Sequence, residues 1–185
     1  MVKVITPPSA EPVNLDDFKT WMQGLPISEE QGPMVNSLLK AGREEAEAYQ
    51  NVAYCEQTLQ IAPEPDEAHC IPSVIVLSRP PFRELKSVVI NLADGTARDI
   101  TETCTVDDTQ RPAELYLSYS VNAFGPLREV NPLVITYAAG YDTVPEKVRQ
   151  AILLYATWAW MHRGGDEPIP EAFYALLSKG RVVLV

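Results

Sequence analysis

The stretch from Pro132 to Arg163 constrains this chain most. Its first half alternates, with Leu133, Ile135 and Tyr137 on one side, as in a half-buried strand. Gly140 ends the alternation. Thr143 and Glu146 stand at capping-box spacing, and Pro145 falls in the first helical turn, where a missing N–H costs little. From Ala151 to Met161 only Thr157 is polar. The spacing predicts a helix over 145–163 that is apolar on nearly all sides and therefore buried on nearly all sides. Such a helix is too short to span a bilayer, which takes about 20 apolar residues. The rest of the chain, or another copy of it, must cover this helix.

The segments before it fall into two periods. Residues 1–13 carry Pro7, Pro8 and Pro12 and read as an extended arm. Asn14 is placed as an N-cap for a helix over about 14–24, with Leu15, Phe18, Trp21 and Met22 at helical spacing and Asp16 and Asp17 at its positive end. A second helix over about 29–50 opens at Ser28 or Glu29. Its apolar stripe is Val35, Leu38, Leu39, Gly42, Ala46 and Tyr49, and its wet face is Lys40, Arg43, Glu44, Glu45 and Glu47. Asn51 suits a left-handed helix end. From about 54 to 139 the period is that of strands. Leu59 and Ile61 alternate with polar neighbours, and Val74–Leu77 is a continuous apolar strand. Asp94-Gly95 is the strongest hairpin signal, with a return strand through Ile100, Cys104 and Val106. Leu115 and Leu117 mark another strand, and residues 118–131 read as a long loop. A last helix over 171–179 carries Phe173, Leu176 and Leu177. The chain finishes in a tail, 180–185, whose Arg181-Val-Val-Leu-Val185 wants a partner strand. The fold class expected is α+β: a small helical bundle of two N-terminal helices and the long apolar helix, with an inserted antiparallel β-sheet. Residues 14–179 are expected to form one domain.

Net charge of −10 argues against ordinary binding to a nucleic-acid backbone, although it suits a wall that DNA slides past. Three widely spaced cysteines fit free thiols in a reducing compartment, and no apolar signal segment opens the chain. The search for chemistry finds little. His69 beside Cys70 lacks two further metal ligands at usable spacing. His162 complements the negative end of the long helix. Asp66-Glu67 and Asp107-Asp108 are adjacent loop carboxylates, not a dyad assembled in a cleft. Arg79, Arg83 and Lys86 read as a solvated sheet edge. Phosphate-loop and nucleophile-elbow motifs are absent. No cofactor or metal is implied, and the balance favours an interaction role over an enzyme. Trp158 and Trp160, two apart on one helix, face different ways, so one can be core while the other meets a second subunit.

Read in order, the segments resemble the head–tail connector (adaptor, head-completion) family of long-tailed bacteriophages and prophages. The resemblance runs through Pro8-Ser-Ala-Glu-Pro-Val-Asn-Leu15, Ala41-Gly-Arg-Glu-Glu-Ala-Glu-Ala-Tyr49, Glu56-Gln-Thr-Leu59, Leu77-Ser-Arg-Pro-Pro81 and Leu85-Lys-Ser-Val88. It continues through Tyr137-Ala-Ala-Gly-Tyr141, Val144-Pro145, Val148-Arg-Gln-Ala-Ile-Leu-Leu154, Leu176-Leu177 and Arg181-Val-Val-Leu-Val185. Members often carry Thr-Gly-Arg where this chain has Gln50-Asn-Val52, and a Trp-containing loop where this chain has Phe124. The resemblance implies a non-enzymatic virion protein, made in the host cytoplasm. Copies would form a ring, expected to be a dodecamer, beneath the portal protein. The ring would extend the DNA channel and receive the next neck or tail-completion protein, without membrane contact or specific DNA binding. Interface residues expected are Trp158, Trp160, Arg181, Val182, Val183, Leu184 and Val185, along with the 1–13 arm. The competing readings are another neck or tail-completion protein of the same particle, an enzyme built on Asp107 and Asp108, and a nucleic-acid-binding regulator.

Overall fold

The computed structural model describes residues 2–24, 26–65, 71–118, 120–163 and 165–182. The fold is mixed α and β, with all its strand pairs antiparallel among these residues. It divides into two units: residues 2–8 with 56–140, and residues 9–55 with 141–182.

The first unit holds the strands. A five-stranded sheet has the order β1-β2-β8-β4-β5, formed by β1 (Val2–Thr6), β2 (Gln57–Ile61), β8 (Leu133–Ala139), β4 (Phe82–Asn91) and β5 (Ala97–Asp99). The 1–13 stretch is thus part strand, since Val2–Thr6 pairs along β2. β8 is central because it is the most apolar: Leu133, Ile135 and Tyr137 are buried, opposite Leu59 and Ile61 on one neighbour and Val88 and Ile90 on the other. At Asp94-Gly95 the expected hairpin forms. Gly95 takes φ +87°, the Leu92 N–H donates to the Thr96 carbonyl at 2.9 Å, and Asp94 Oδ1 accepts from the Thr96 N–H.

The return strand is shorter than its alternation predicts. β5 stops at Asp99, a 3₁₀ turn covers Thr101–Thr103, and Cys104 and Val106 belong to β6 (Cys104–Asp107) of a separate three-stranded sheet. The interruption has a visible cause: Asp99 Oδ1 accepts from both the N–H and the hydroxyl of Thr101, and Thr101 Oγ1 in turn accepts from the Val88 N–H. This side-chain turn outcompetes the ladder. The second sheet has the order β3-β7-β6, with β3 (Val74–Leu77) and β7 (Ala113–Leu117). β3 is not buried on both faces, as a continuous apolar run suggests; Ile75 and Leu77 are inside, while Val74 and Val76 are exposed with Tyr116. The 118–131 loop contains a 3₁₀ turn, Val121–Phe124, and a bridge from Leu127 to Leu92.

The second unit holds the α-helices, four among the described residues: α1 (Leu15–Trp21), α2 (Gly32–Gln50), α3 (Glu146–Met161) and α4 (Glu171–Leu177). Asn14 caps α1 as its side chain predicts, accepting from the Asp16 and Asp17 N–H groups, while Asp17 accepts from the Asn14 N–H. Asn51 ends α2 in the left-handed region, at φ 56°. Phe18, Val35, Leu39, Ala46, Tyr54, Ile152, Ala156, Phe173 and Leu177 make the core. Burying one such aromatic or aliphatic side chain contributes roughly 1.5–3 kcal/mol.

Two expectations for α3 are corrected. No capping box forms at Thr143, because the helix starts three residues later. Val144 precedes a proline and is kept out of the helical region, so Pro145 becomes an N-cap without side-chain hydrogen bond. Nor is the helix buried all round. Val148, Ala151, Ile152, Leu153 and Ala156 are inside, whereas Leu154, Trp158 and Trp160 are half-buried and Met161 is 65% exposed. An apolar sequence has here produced a helix with one buried face and one open flank.

Candidate interaction surface

α3 presents its two tryptophans on different sides, as their spacing requires. Trp160 lies edge-on to Phe18 of α1 at 6.3 Å, and the Arg163 guanidinium covers it at 3.8 Å from the ring centre. Trp158 turns the other way, to Tyr155 at 5.6 Å and to the His162 ring at 6.3 Å. Its indole N–H is buried without a hydrogen-bond partner among the described residues. His162 Nδ1 lies 2.9 Å from the Trp158 carbonyl, which places it over the helix end as expected.

Arg181 and Val182 join the Trp158 side. The Arg181 guanidinium stands 5.4 Å from the Tyr49 ring, and the Val182 N–H donates to the Gln50 carbonyl at 2.9 Å. From Tyr49 a file of rings runs through Tyr174, Phe173 and Tyr155 to Trp158, each 4.9–5.6 Å from the next. Aromatic pairs favour such offset and edge-on geometry, which adds to the energy of burial alone. Trp160 stands apart from this file. Val183, Leu184 and Val185 lie outside the described residues, as do Asp66, Glu67, His69 and Cys70.

A buried ionic cluster that sequence reading places in water sits in the same unit. Arg43 and Glu47 are each 3% exposed. Arg43 bonds Glu47 at 2.7 Å and Glu11 at 2.7 Å, and Glu47 also accepts from the Tyr54 N–H at 2.8 Å. Burial pulls the Arg43 guanidinium down, but the Glu11 hydrogen bond and the surrounding carboxylates outweigh it and leave its pKa raised. Burial pushes the adjacent Cys55 thiol up to about 11, against the opposing pull of Arg43. Arg149 ties the same entry segment to α3, donating to the Pro12 carbonyl and to Asp17 at 3.4 Å.

The remaining candidates among the described residues stand in separate turns and strand positions. Asp107 accepts from the Thr109 hydroxyl and N–H, which lowers its pKa and keeps it an anion in an exposed turn. Lys86 donates to Thr58 at 2.9 Å, and Arg83 faces Glu56 at 3.7 Å. Among the described residues there is no group of three or more His, Cys, Asp or Glu side chains placed to hold a metal, and no helix long and apolar enough to cross a membrane.

What these units define is a fold: an antiparallel β unit, made of the N-terminal strand and a long insertion between the second and third α-helices, and a helical unit with four α-helices among the described residues. The same fold occurs in solved structures of a gene transfer agent particle. A chain in the virion of the native particle matches with a TM-score of 0.76 at 16% identity, over 100% of this chain and 97% of that one. A chain in the neck of the empty particle, computed with C6 symmetry, matches at 0.76 and 18% identity. A chain in the neck of the native particle, computed with C12 symmetry, matches at 0.73 and 17% identity. Both neck matches have the same coverage. No protein-family model and no curated protein matches the chain.

Proposed function

We propose that this chain is a structural neck protein of a phage-like particle, a head–tail connector acting without catalysis. Copies form a ring, a dodecamer by this reading, below the portal protein. The ring continues the DNA channel and offers a landing surface for the next neck or tail-completion protein. The observation that carries the proposal is the end-to-end likeness to chains of particle necks, 100% of this chain against 97% of theirs, in necks computed with C6 and C12 symmetry. The order of motifs along the chain supports the same reading independently. So does the charge of −10, which lets DNA pass a wall without adhering to it. The interface is assigned to Trp158, Trp160 and the segment from Arg181 to Val185, with the N-terminal segment as a second contact.

Removing the gene from a genome that encodes the particle tests this. The expected result is heads that fail to join tails, seen by electron microscopy, with the protein present in mass spectra of complete particles. Normal tailed particles in its absence would refute the proposal. Heads joined to a neck but lacking the tail would favour the other neck-protein reading, in which the chain acts one step further from the portal.

A further inference from the structure

The α2–α3 pair has two open flanks of different chemistry on opposite sides. Gly42 meets Tyr155 and Ile152 at the contact between the helices. At about 100° per residue, Lys40 and Glu44 lie about 160–200° from Gly42, and Leu154 and Met161 lie about 180–200° from Ile152. Exposure agrees: Lys40 and Glu44 are each 56% exposed, and Met161 is 65% exposed. Trp21, 43% exposed, donates its indole N–H at 3.1 Å to Thr157, which stands one helical turn before Met161. The α3 flank is therefore apolar toward its C-terminal end, at half-buried Leu154 and exposed Met161, with exposed Gln150 on the same side nearer its start. It is bracketed by Lys147 and Arg163, both exposed and without an acidic partner among the described residues. The α2 flank is acidic, with Glu44 on it and Glu29 and Glu30 exposed in the turn that leads into it. Glu44 is shared between two bases, the buried Arg43 at 3.5 Å and Lys40 at 3.9 Å, so Glu29 and Glu30 carry the free negative charge of this flank among the described residues.

We infer that the α3 flank of one copy docks on the α2 flank of the next copy. This rests on the ring reading and names its lateral contact. The occupant is a second copy because the two flanks of one molecule complement each other in charge and point in opposite directions. Contact between unlike flanks is head-to-tail, so it passes from copy to copy instead of stopping at a two-fold dimer, and it gives a ring where the rotation per copy closes. Met161 and Trp21 supply the desolvated centre that such contacts need, and Lys147 and Arg163 supply a rim that selects the acidic flank.

Sedimentation velocity of the full chain over a concentration series tests the inference, with circular dichroism as the check on folding. Met161→Glu changes an exposed side chain and is expected to leave the fold intact while weakening self-association about tenfold or more. Lys147→Glu is expected to weaken it less, and adding Glu30→Lys in the same chain is expected to restore it. A wild type that associates while Met161→Glu associates equally well overturns the lateral contact and leaves the ring standing. Lack of rescue in the charge-swapped pair overturns the assignment of α2 as the opposing flank. A wild-type chain that stays monomeric at every concentration also overturns the inference, while the neck reading is then judged separately by the gene-removal phenotype.

Discussion

Arg43 shows how much one side chain can organise. It joins α2 to Glu11 of the entering segment, and its partner Glu47 holds the Tyr54 N–H where the chain leaves. Arg43→Ala takes the cation away from the buried Glu47 carboxylate, so we expect a loss of about 3–5 kcal/mol in denaturant unfolding. Replacing Arg43 and Glu47 together by Met and Leu should cost far less than Arg43→Ala alone. Cys55 gives a second prediction. With its pKa pushed up to about 11, it should react slowly with iodoacetamide at pH 8 and faster as pH rises toward that value, read by mass spectrometry. The sign for stability follows: between the ordinary thiol value of 9.0 and about 11 the unfolded chain releases this proton first, so stability is lost as pH rises through that window. Neither residue was legible in advance. An Arg and a Glu four apart on a helix look the same whether water or a carboxylate from a distant segment covers them. The approach of Glu11, 32 positions away, decides it. Asn14 and Asn51, by contrast, were legible because a cap is a local interaction.

At the scale of elements, the α2–α3 contact depends on Gly42. A Cβ there would sit 3.0 Å from Tyr155 Cδ1 and 3.3 Å from the Ile152 carbonyl. Gly42→Ala sets a helix-propensity gain of about 1 kcal/mol against that crowding and should be near neutral. Gly42→Leu has no such room and should destabilise by about 1–3 kcal/mol or more, measured by thermal unfolding. Helices α1, α2 and α4 and the hairpin at Asp94-Gly95 could be read from period and turn chemistry. Two elements could not. The apolar run of α3 fixes that it is a helix but not how many sides are covered, because an open flank reserved for a partner has the same composition as a core. The strand through Ile100 to Val106 kept its alternation across a break, since Asp99 and Thr101 form their turn without disturbing the period.

For the whole molecule, composition excluded more than it assigned. It left an acidic α+β chain without an evident active site, and only the order of motifs pointed to the neck of a phage-like particle. The proposed interface is hard to see in one chain because apolar residues held for a partner obey the rules of a core; Trp21, read as part of an apolar stripe, is 43% exposed. The central claim is assembly around an axis on a portal. Negative-stain electron microscopy of the purified protein, mixed with the cognate portal, tests it most directly. The account predicts an added ring of density below the portal, continuing its axial hole. A portal that remains bare at saturating protein would contradict it.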